Sequence, residues 1–310
     1  MSSRIPQVSI VVPAYNCADY VEETFKSVVS QDFTNWEIIF VNDGSTDSTA
    51  EVLATLAKQD SRVVVVHQEN GRQGKARNHG ISLAKAEWIA FLDADDLWPI
   101  NKLSSQLKTT EESQADLSFT NGYICLNNQM DLREHRFGVE DKLFEGDQGV
   151  QQFHAQNRVP TSSVMAKKSA ISVVGGFPEA REVQNCEDYL LWTRLLAEGF
   201  KLRGISEPLL FYRVHPESST GQEINLLFPL VRALMCMPGS HREPLKHHLE
   251  KSFIRLISML NERGRIKELD TLAFSVPGKI YPGGKAILLK LAWYFSTRIY
   301  LSLIWRMKRV

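Results

Sequence analysis

The first hundred residues alternate between two hydrophobic periods. A short run rich in β-branched residues, VSIVV (8–12), predicts a buried strand. DYVEETFKSVVSQ (19–31) follows, with Val21, Phe25, Val28 and Val29 spaced along one helical face. Asp19, with Glu22 three residues on, has the form of an N-terminal helix cap. EIIFV (37–41) predicts a second strand and AEVLATLAK a second helix; RVVVV (62–66), GKARNHGISLAKA and EWIAFL (87–92) repeat the scheme. This alternation predicts an α/β fold, a mostly parallel sheet with helices on both faces. Ligands of such sheets bind beyond the carboxyl ends of the strands. PAYN, NDGSTD and DADD each follow a strand, so they are expected to converge on one edge.

The densest charge lies on that edge. FLDADD (91–96) places three carboxylates within four positions. Asp96 has an alternative use as a cap for a helix beginning near WPINKLSSQL, where Pro99 suits a first turn. A cap does not account for all three acids. Asp93 and Asp95 alternate across one residue, so an extended backbone points them to the same side. Like charges so close raise one another's pKa unless a cation joins them. A hard divalent ion shared with substrate phosphates relieves the repulsion, the usual manner of Mg²⁺.

Composition narrows the setting without choosing a function. The 310 residues are 43% hydrophobic and 23% charged, suited to one large domain or one domain with a smaller addition. Lysine plus arginine equals aspartate plus glutamate at 36 each, which speaks against a polyanionic partner such as nucleic acid. Cys17, Cys125, Cys186 and Cys236 form no CxxC pair and read as reduced cytosolic thiols. The N-terminal apolar run is too short, and too soon broken by Pro13, for a secretory signal. The last forty residues carry seven basic residues and no acid, which marks a separate C-terminal region.

VSIVVPAYNCADYVEETFKSVVSQ, EIIFVNDGSTDST, GKARNHGI and WIAFLDADDLW resemble the nucleotide-sugar half of family 2 glycosyltransferases, which have the Rossmann-like GT-A fold. The resemblance continues through PTSSVMAKKSAISVVGGF, CEDYLLWTRLL and FYRVHPESS, and so covers about residues 6–219 in the family's order. It implies a catalytic domain over 1–219, with a nucleotide-sugar half (about 6–100) and an acceptor half (about 101–219). A helical region at 220–310 lies beyond it.

Roles for individual residues follow from the resemblance. Pro13, Ala14 and Tyr15 would line the base pocket, with Tyr15 stacking on a pyrimidine; the alternative for Tyr15 is a core aromatic. Asp43 would accept from the ring NH of the base, or form an Asx turn into GSTDST, or both. Arg72, Lys75 and Arg77, in a glycine-flanked loop, would cover the nucleotide and counter its phosphates. Asp93, with Ala94 beside it, would contact the ribose or the metal, and Asp95 the Mg²⁺ or Mn²⁺ that bridges the phosphates.

The second half would supply the acceptor side. Glu187 and Asp188 open a predicted helix, where the helix dipole alone explains two acids. In related enzymes this pair reaches the anomeric carbon; Asp188 is read as the catalytic base and Glu187 as the second choice. Gly175 and Gly176 would turn the chain under the acceptor pocket, and Trp192 would be a sugar platform or core. Arg213 and His215 would complete the pyrophosphate and metal shell, His215 having a structural alternative.

The implied reaction is an inverting in-line transfer from a nucleoside-diphosphate sugar, with UDP-sugars first, to a glycan or lipid-linked hydroxyl. Its expected setting is cell-surface polysaccharide or glycolipid synthesis. A nucleotidylyltransferase would carry a glycine-rich basic loop after the first strand, where PAYNCADY stands. A glycosidase has no use for a nucleotide pocket. A non-catalytic sugar-nucleotide-binding module would keep Asp43 and Asp95 without needing the base. AILLKLAWYFSTRIYLSLIW (286–305) is long enough to span a bilayer but contains Lys290 and Arg298. The expectation is a cytoplasmic protein whose tail lies against the anionic inner face of the membrane or packs on the domain.

Overall fold

The computed structural model describes residues 5–126, 137–155, 159–180 and 185–215. The chain divides into two units, Met1–Gly221 and Gln222–Val310, and every described residue belongs to the first. The expected C-terminal helices and basic tail lie outside the described residues.

β1 (Val8–Ala14) and β2 (Trp36–Asp43) are almost wholly buried, as continuous apolar runs in a covered sheet require. They alternate with α1 (Val21–Val29), α2 (Thr49–Gln59), β3 (Val63–Gln68), α3 (Arg72–Leu83) and β4 (Trp88–Phe91). The second half contributes α4 (Lys102–Glu112), β5 (Leu117–Leu126), β6 (Lys142–Phe144), α5 (Gly146–Ala155), a 3-10 turn (Thr161–Ser163), β7 (Met165–Lys167), α6 (Lys168–Val173), α7 (Glu187–Ala197) and β8 (Leu202–Val214).

All eight strands form one sheet in the order β3-β2-β1-β4-β7-β5-β8-β6. β3, β2, β1 and β4 pair in parallel, and β5 pairs in parallel with β8. β7 enters antiparallel between β4 and β5, and β6 antiparallel on β8, so the sheet is mixed beyond β4. The β-α-β order of the first half brings the ends of β1, β2 and β4 to one edge, and β8 closes that edge through a bridge between Leu97 and Phe211.

Three local readings are corrected. α1 begins after Tyr20 with no side-chain cap, and Val29 is 43% exposed while Val21, Phe25 and Val28 are buried. Asp96 does not cap α4, whose first flanking residue is Asn101. It is instead buried, accepting the Arg213 backbone N–H at 2.9 Å and a short bond from Ser162 Oγ.

Candidate active site

A cavity of about 910 Å³ opens where the loops after β1, β2 and β4 meet the end of β8. Pro13, Ala14, Tyr15, Asp43, Arg72, Asp93, Ala94, Asp95 and His215 all line it, which gathers most of the expected nucleotide-side residues in one place. Tyr15 is 52% exposed, so it is not a core aromatic.

The first two loops are fastened to each other. Asn16 accepts from the Thr46 backbone N–H at 2.8 Å, and its own N–H donates to Ser45 Oγ at 3.1 Å. The Cys17 N–H donates to Thr49 Oγ1 at 2.9 Å and the Ala18 N–H to Asp47 Oδ2 at 3.2 Å. Burial works to raise the Asp47 pKa, but bonds from the Thr49 hydroxyl, the Thr49 N–H and the Ala18 N–H outweigh it and lower the pKa, while burial pushes the Cys17 thiol up to about 12. Cys17, Cys125 and Cys186 are buried thiols outside any disulfide.

Asp43 is held from the side of α3. Its Oδ1 accepts from Gln68 Nε2 at 2.7 Å and from the Gly71 N–H at 2.8 Å. With the Gln68 amide nitrogen turned to the carboxylate, its oxygen faces His79 Nδ1 at 2.8 Å, so that ring nitrogen carries the proton. The turn into GSTDST is held by the preceding residue: Asn42 Oδ1 accepts from the Ser45 N–H at 3.1 Å.

Asp93 and Asp95 project towards the cavity and Asp96 into the core. Burial raises the Asp95 pKa and the Asp93 charge raises it further, while a bond from His215 Nε2 at 3.0 Å opposes both. His215 also stacks on Tyr20 at 4.7 Å. The cavity wall holds five carboxylates, Asp19, Asp43, Asp47, Asp93 and Asp95, against Arg72 and His215. Such a wall repels a diphosphate unless a cation intervenes. Among the described residues no three His, Cys, Asp or Glu groups converge as a ready cation cage. An ion held by one or two carboxylates, with phosphates and water completing its shell, fits that donor set.

Glu187 and Asp188 do not line the cavity; nearby Asn185 does. Glu187 is buried and bonded to Arg77, whereas Asp188 is half-buried. Asp188 Oδ1 accepts from the Tyr189 N–H at 2.6 Å and Oδ2 from Thr161 Oγ1 at 2.7 Å. Burial raises both pKa values, Asp188 raises that of Glu187 further, and Arg77 lowers both.

Four expectations are corrected. Arg77 does not sit in a loop over the phosphates: residues 72–83 are helical, and Arg77 is 2% exposed, bonding Asp93 at 2.7 Å and Glu187 at 3.1 Å. Lys75, on the same helix, is exposed and lies off the cavity lining. Trp192 is fully buried against Phe91 and Phe177, so it is core and offers no sugar platform. Arg213 is also turned away: its guanidinium pairs with Glu23 at 2.8 Å and lies over Tyr20, off the cavity lining.

Gly175 and Gly176, at φ 80° and 74°, make the turn that only glycine adopts freely. The following Phe177 backbone exchanges two bonds with Asn78, at 2.8 and 2.9 Å. Sequence reasoning missed Thr161 and Ser162, which lie in PTSS; their hydroxyls hold Asp188 and Asp96, and Ser162 Oγ also accepts the Asp93 N–H at 3.1 Å.

Comparisons with known proteins identify the family. The family profile "Glycosyl transferase family 2" matches residues 9–173. TuaG of Bacillus subtilis (strain 168), a glycosyltransferase named for teichuronic acid biosynthesis, is 31% identical over 217 residues, 69% of this chain and 81% of its own. WfaP of Escherichia coli, a UDP-Glc:α-D-GlcNAc-diphosphoundecaprenol β-1,3-glucosyltransferase, is 32% identical over 225 residues, 71% and 82% of the two chains. Among solved structures, S. aureus TarS 1-349 with UDP-GlcNAc aligns at TM-score 0.58 and 17% identity, covering 87% of this chain and 76% of its own. The mannosyltransferase PcManGT of Pyrobaculum calidifontis aligns at 0.57 and 18%, covering 96% and 88%. At those identities the structures speak for the fold alone. With the family profile spanning more than half of its length, this chain belongs to glycosyl transferase family 2 and is a nucleotide-sugar-dependent glycosyltransferase of GT-A-like fold.

Proposed function

We propose that the protein catalyses an inverting transfer from a UDP-sugar to a hydroxyl of a glycan or lipid-linked acceptor, in cell-surface polysaccharide or glycolipid synthesis. The observation that carries this reading is the convergence of Asp43, Asp93 and Asp95 on one cavity, with Asp93 joined through Arg77 to the Glu187–Asp188 pair. TuaG and WfaP support the cell-surface setting, and WfaP supports the UDP-sugar and the lipid-linked acceptor.

Tyr15 and Asp43 receive the base, the second by accepting a ring N–H. Asp93, which shares the Arg77 guanidinium with Glu187, contacts the ribose. Asp95, beside His215, would hold Mg²⁺ or Mn²⁺, which would supply positive charge against that of the departing nucleoside diphosphate. Asp188 takes the proton of the acceptor hydroxyl as it attacks the face of the anomeric carbon opposite the leaving group, and the centre inverts. Its raised pKa makes it a stronger base than an exposed aspartate. Among the described residues no helix is long and apolar enough to cross a membrane. The basic stretch 279–310 holds the enzyme on the cytoplasmic face of an anionic membrane.

A panel of UDP- and GDP-sugars, incubated with Mg²⁺ or Mn²⁺ and with chelator, tests the reading by nucleoside diphosphate release. Release that needs metal, and that Asp95→Asn abolishes while the protein stays folded, is the expected result. No release from any donor, or an unchanged Asp95→Asn, overturns it.

A further inference from the structure

We propose that Arg77 is a positioning residue that ties the donor-side carboxylate Asp93 to Glu187 and thereby fixes Asp188 against the bound nucleotide sugar. The proposal rests on the reading of Asp188 as general base.

Arg77 divides its guanidinium fork between two acids from opposite halves of the domain. Nη2 bonds Asp93 Oδ1 at 2.7 Å and Nη1 bonds Glu187 Oε1 at 3.1 Å, 16 and 110 residues away in the chain. A bidentate pair with one acid is the usual strong arrangement. Here each partner gets one end, so the distance between the two acids is set by the width of the fork. The remaining buried atoms, Arg77 Nε and Glu187 Oε2, have no hydrogen-bond partner. A site selected for stability alone would not leave both uncompensated.

The surroundings keep the bridge in place. Gly74, one turn before Arg77, lets α3 approach α7: a Cβ there would stand 3.3 Å from Glu187 Cγ and 3.0 Å from the Pro178 carbonyl oxygen. The Phe177 ring lies 5.4 Å from the guanidinium carbon, and the next residue, Asn78, holds the Phe177 backbone. Glu187 and Asp188 are consecutive at the start of α7, so anchoring the first sets the second. Asp188 then has one freedom removed by Thr161 and another by Glu187. A general base loses about 10²-fold when displaced by an ångström, so such anchoring has a kinetic consequence.

The charges facing Asp188 are Glu187 on its own helix, Arg77 from α3 and Asp93 from the end of β4, with the Cys186 thiol beside it. Arg77 lowers the Asp188 pKa and is itself held protonated: burial opposes its charge, but Asp93 and Glu187 outweigh burial. Removing the cation therefore moves Asp188 upward.

The test compares Arg77→Lys and Arg77→Gln in the full chain. Lysine keeps the charge but has no planar fork to span two acids. With a donor found in the panel above, Arg77→Lys is expected to recover thermal stability relative to Arg77→Gln while kcat stays about 10²-fold below wild type, KM for the donor changing far less. In the absence of any substrate, ¹³C-carboxyl NMR, assigned with Asp188→Asn, is expected to show the Asp188 midpoint higher in Arg77→Gln than in wild type. Full recovery of kcat in Arg77→Lys, or an Asp188 midpoint unmoved in Arg77→Gln, overturns the proposal and leaves Arg77 a packing element. Failure of the whole donor panel counts against the transferase reading alone, because the NMR measurement still decides the bridge.

Discussion

Thr161 donates its hydroxyl to Asp188 Oδ2 at 2.7 Å, joining segments 27 residues apart. The next residue, Ser162, donates to Asp96 and accepts from the Asp93 N–H. One 3-10 turn therefore braces the Asp188 carboxylate, the buried Asp96 carboxylate and the Asp93 backbone together, and neither hydroxyl is dispensable to that brace.

Thr161→Val keeps the shape and removes the donor. The bond lowers the Asp188 pKa, so its loss raises that pKa. A base works deprotonated, and the acid limb of the transfer rate is expected to move to higher pH. Leaving the carboxylate short of a partner destabilises the fold by about 1.5–3 kcal/mol. A pH–rate profile and a denaturant titration read the two effects; an unmoved acid limb counts against Asp188 as base.

Asp188→Asn is expected to lower transfer by about 10²–10⁴-fold and to leave nucleotide affinity intact. Donor binding followed by calorimetry, beside product formation, checks the division. Normal transfer by Asp188→Asn with an inactive Glu187→Gln would move the role to Glu187.

Trp192 contributes packing. Trp192→Ala is expected to cost about 3–5 kcal/mol through the cavity it leaves between Phe91 and Phe177. Trp192→Phe is expected to lower the melting temperature yet keep kcat/KM per folded molecule. A selective loss of acceptor affinity in Trp192→Phe would restore a sugar-binding role.

The basic tail is tested separately from catalysis. Liposome co-sedimentation is expected to show binding that needs anionic lipid and weakens with salt, each basic residue near the surface adding about 1 kcal/mol. Deletion of residues 279–310 is expected to abolish it. Full-length protein remaining in the supernatant at low salt ends the membrane reading.

The strand–helix alternation of residues 8–92 was legible because each element carries its own period. The loops that follow β1, β2 and β4 were placed by topology alone, and Tyr15, Asp43, Asp93 and Asp95 do line one cavity. What stayed hidden depends on contacts between distant segments. GKARNHG gives no sign that Arg77 turns inward, since its partner Glu187 is 110 residues away. Trp192 falls in a helix whose residues from Tyr189 to Thr193 are all buried, and composition does not separate a core tryptophan from a binding platform. PTSS was visible as a motif, but hydroxyl roles depend on which acids fold beside them. The antiparallel entry of β7 depends likewise on a three-residue strand too short to carry a period.

The bonds that fasten residues 16–18 to residues 45–49 also bear on how segments of this domain are exchanged between relatives. Two loops fastened at four points behave as a single transplantable part. A chimaera that imports the first loop without the second inherits mismatched halves of a clasp, and the cavity wall that both loops form loses shape. Recombination at a point between α1 and β2 therefore separates the two halves of the clasp, whereas crossovers before β1 or after α2 carry it whole.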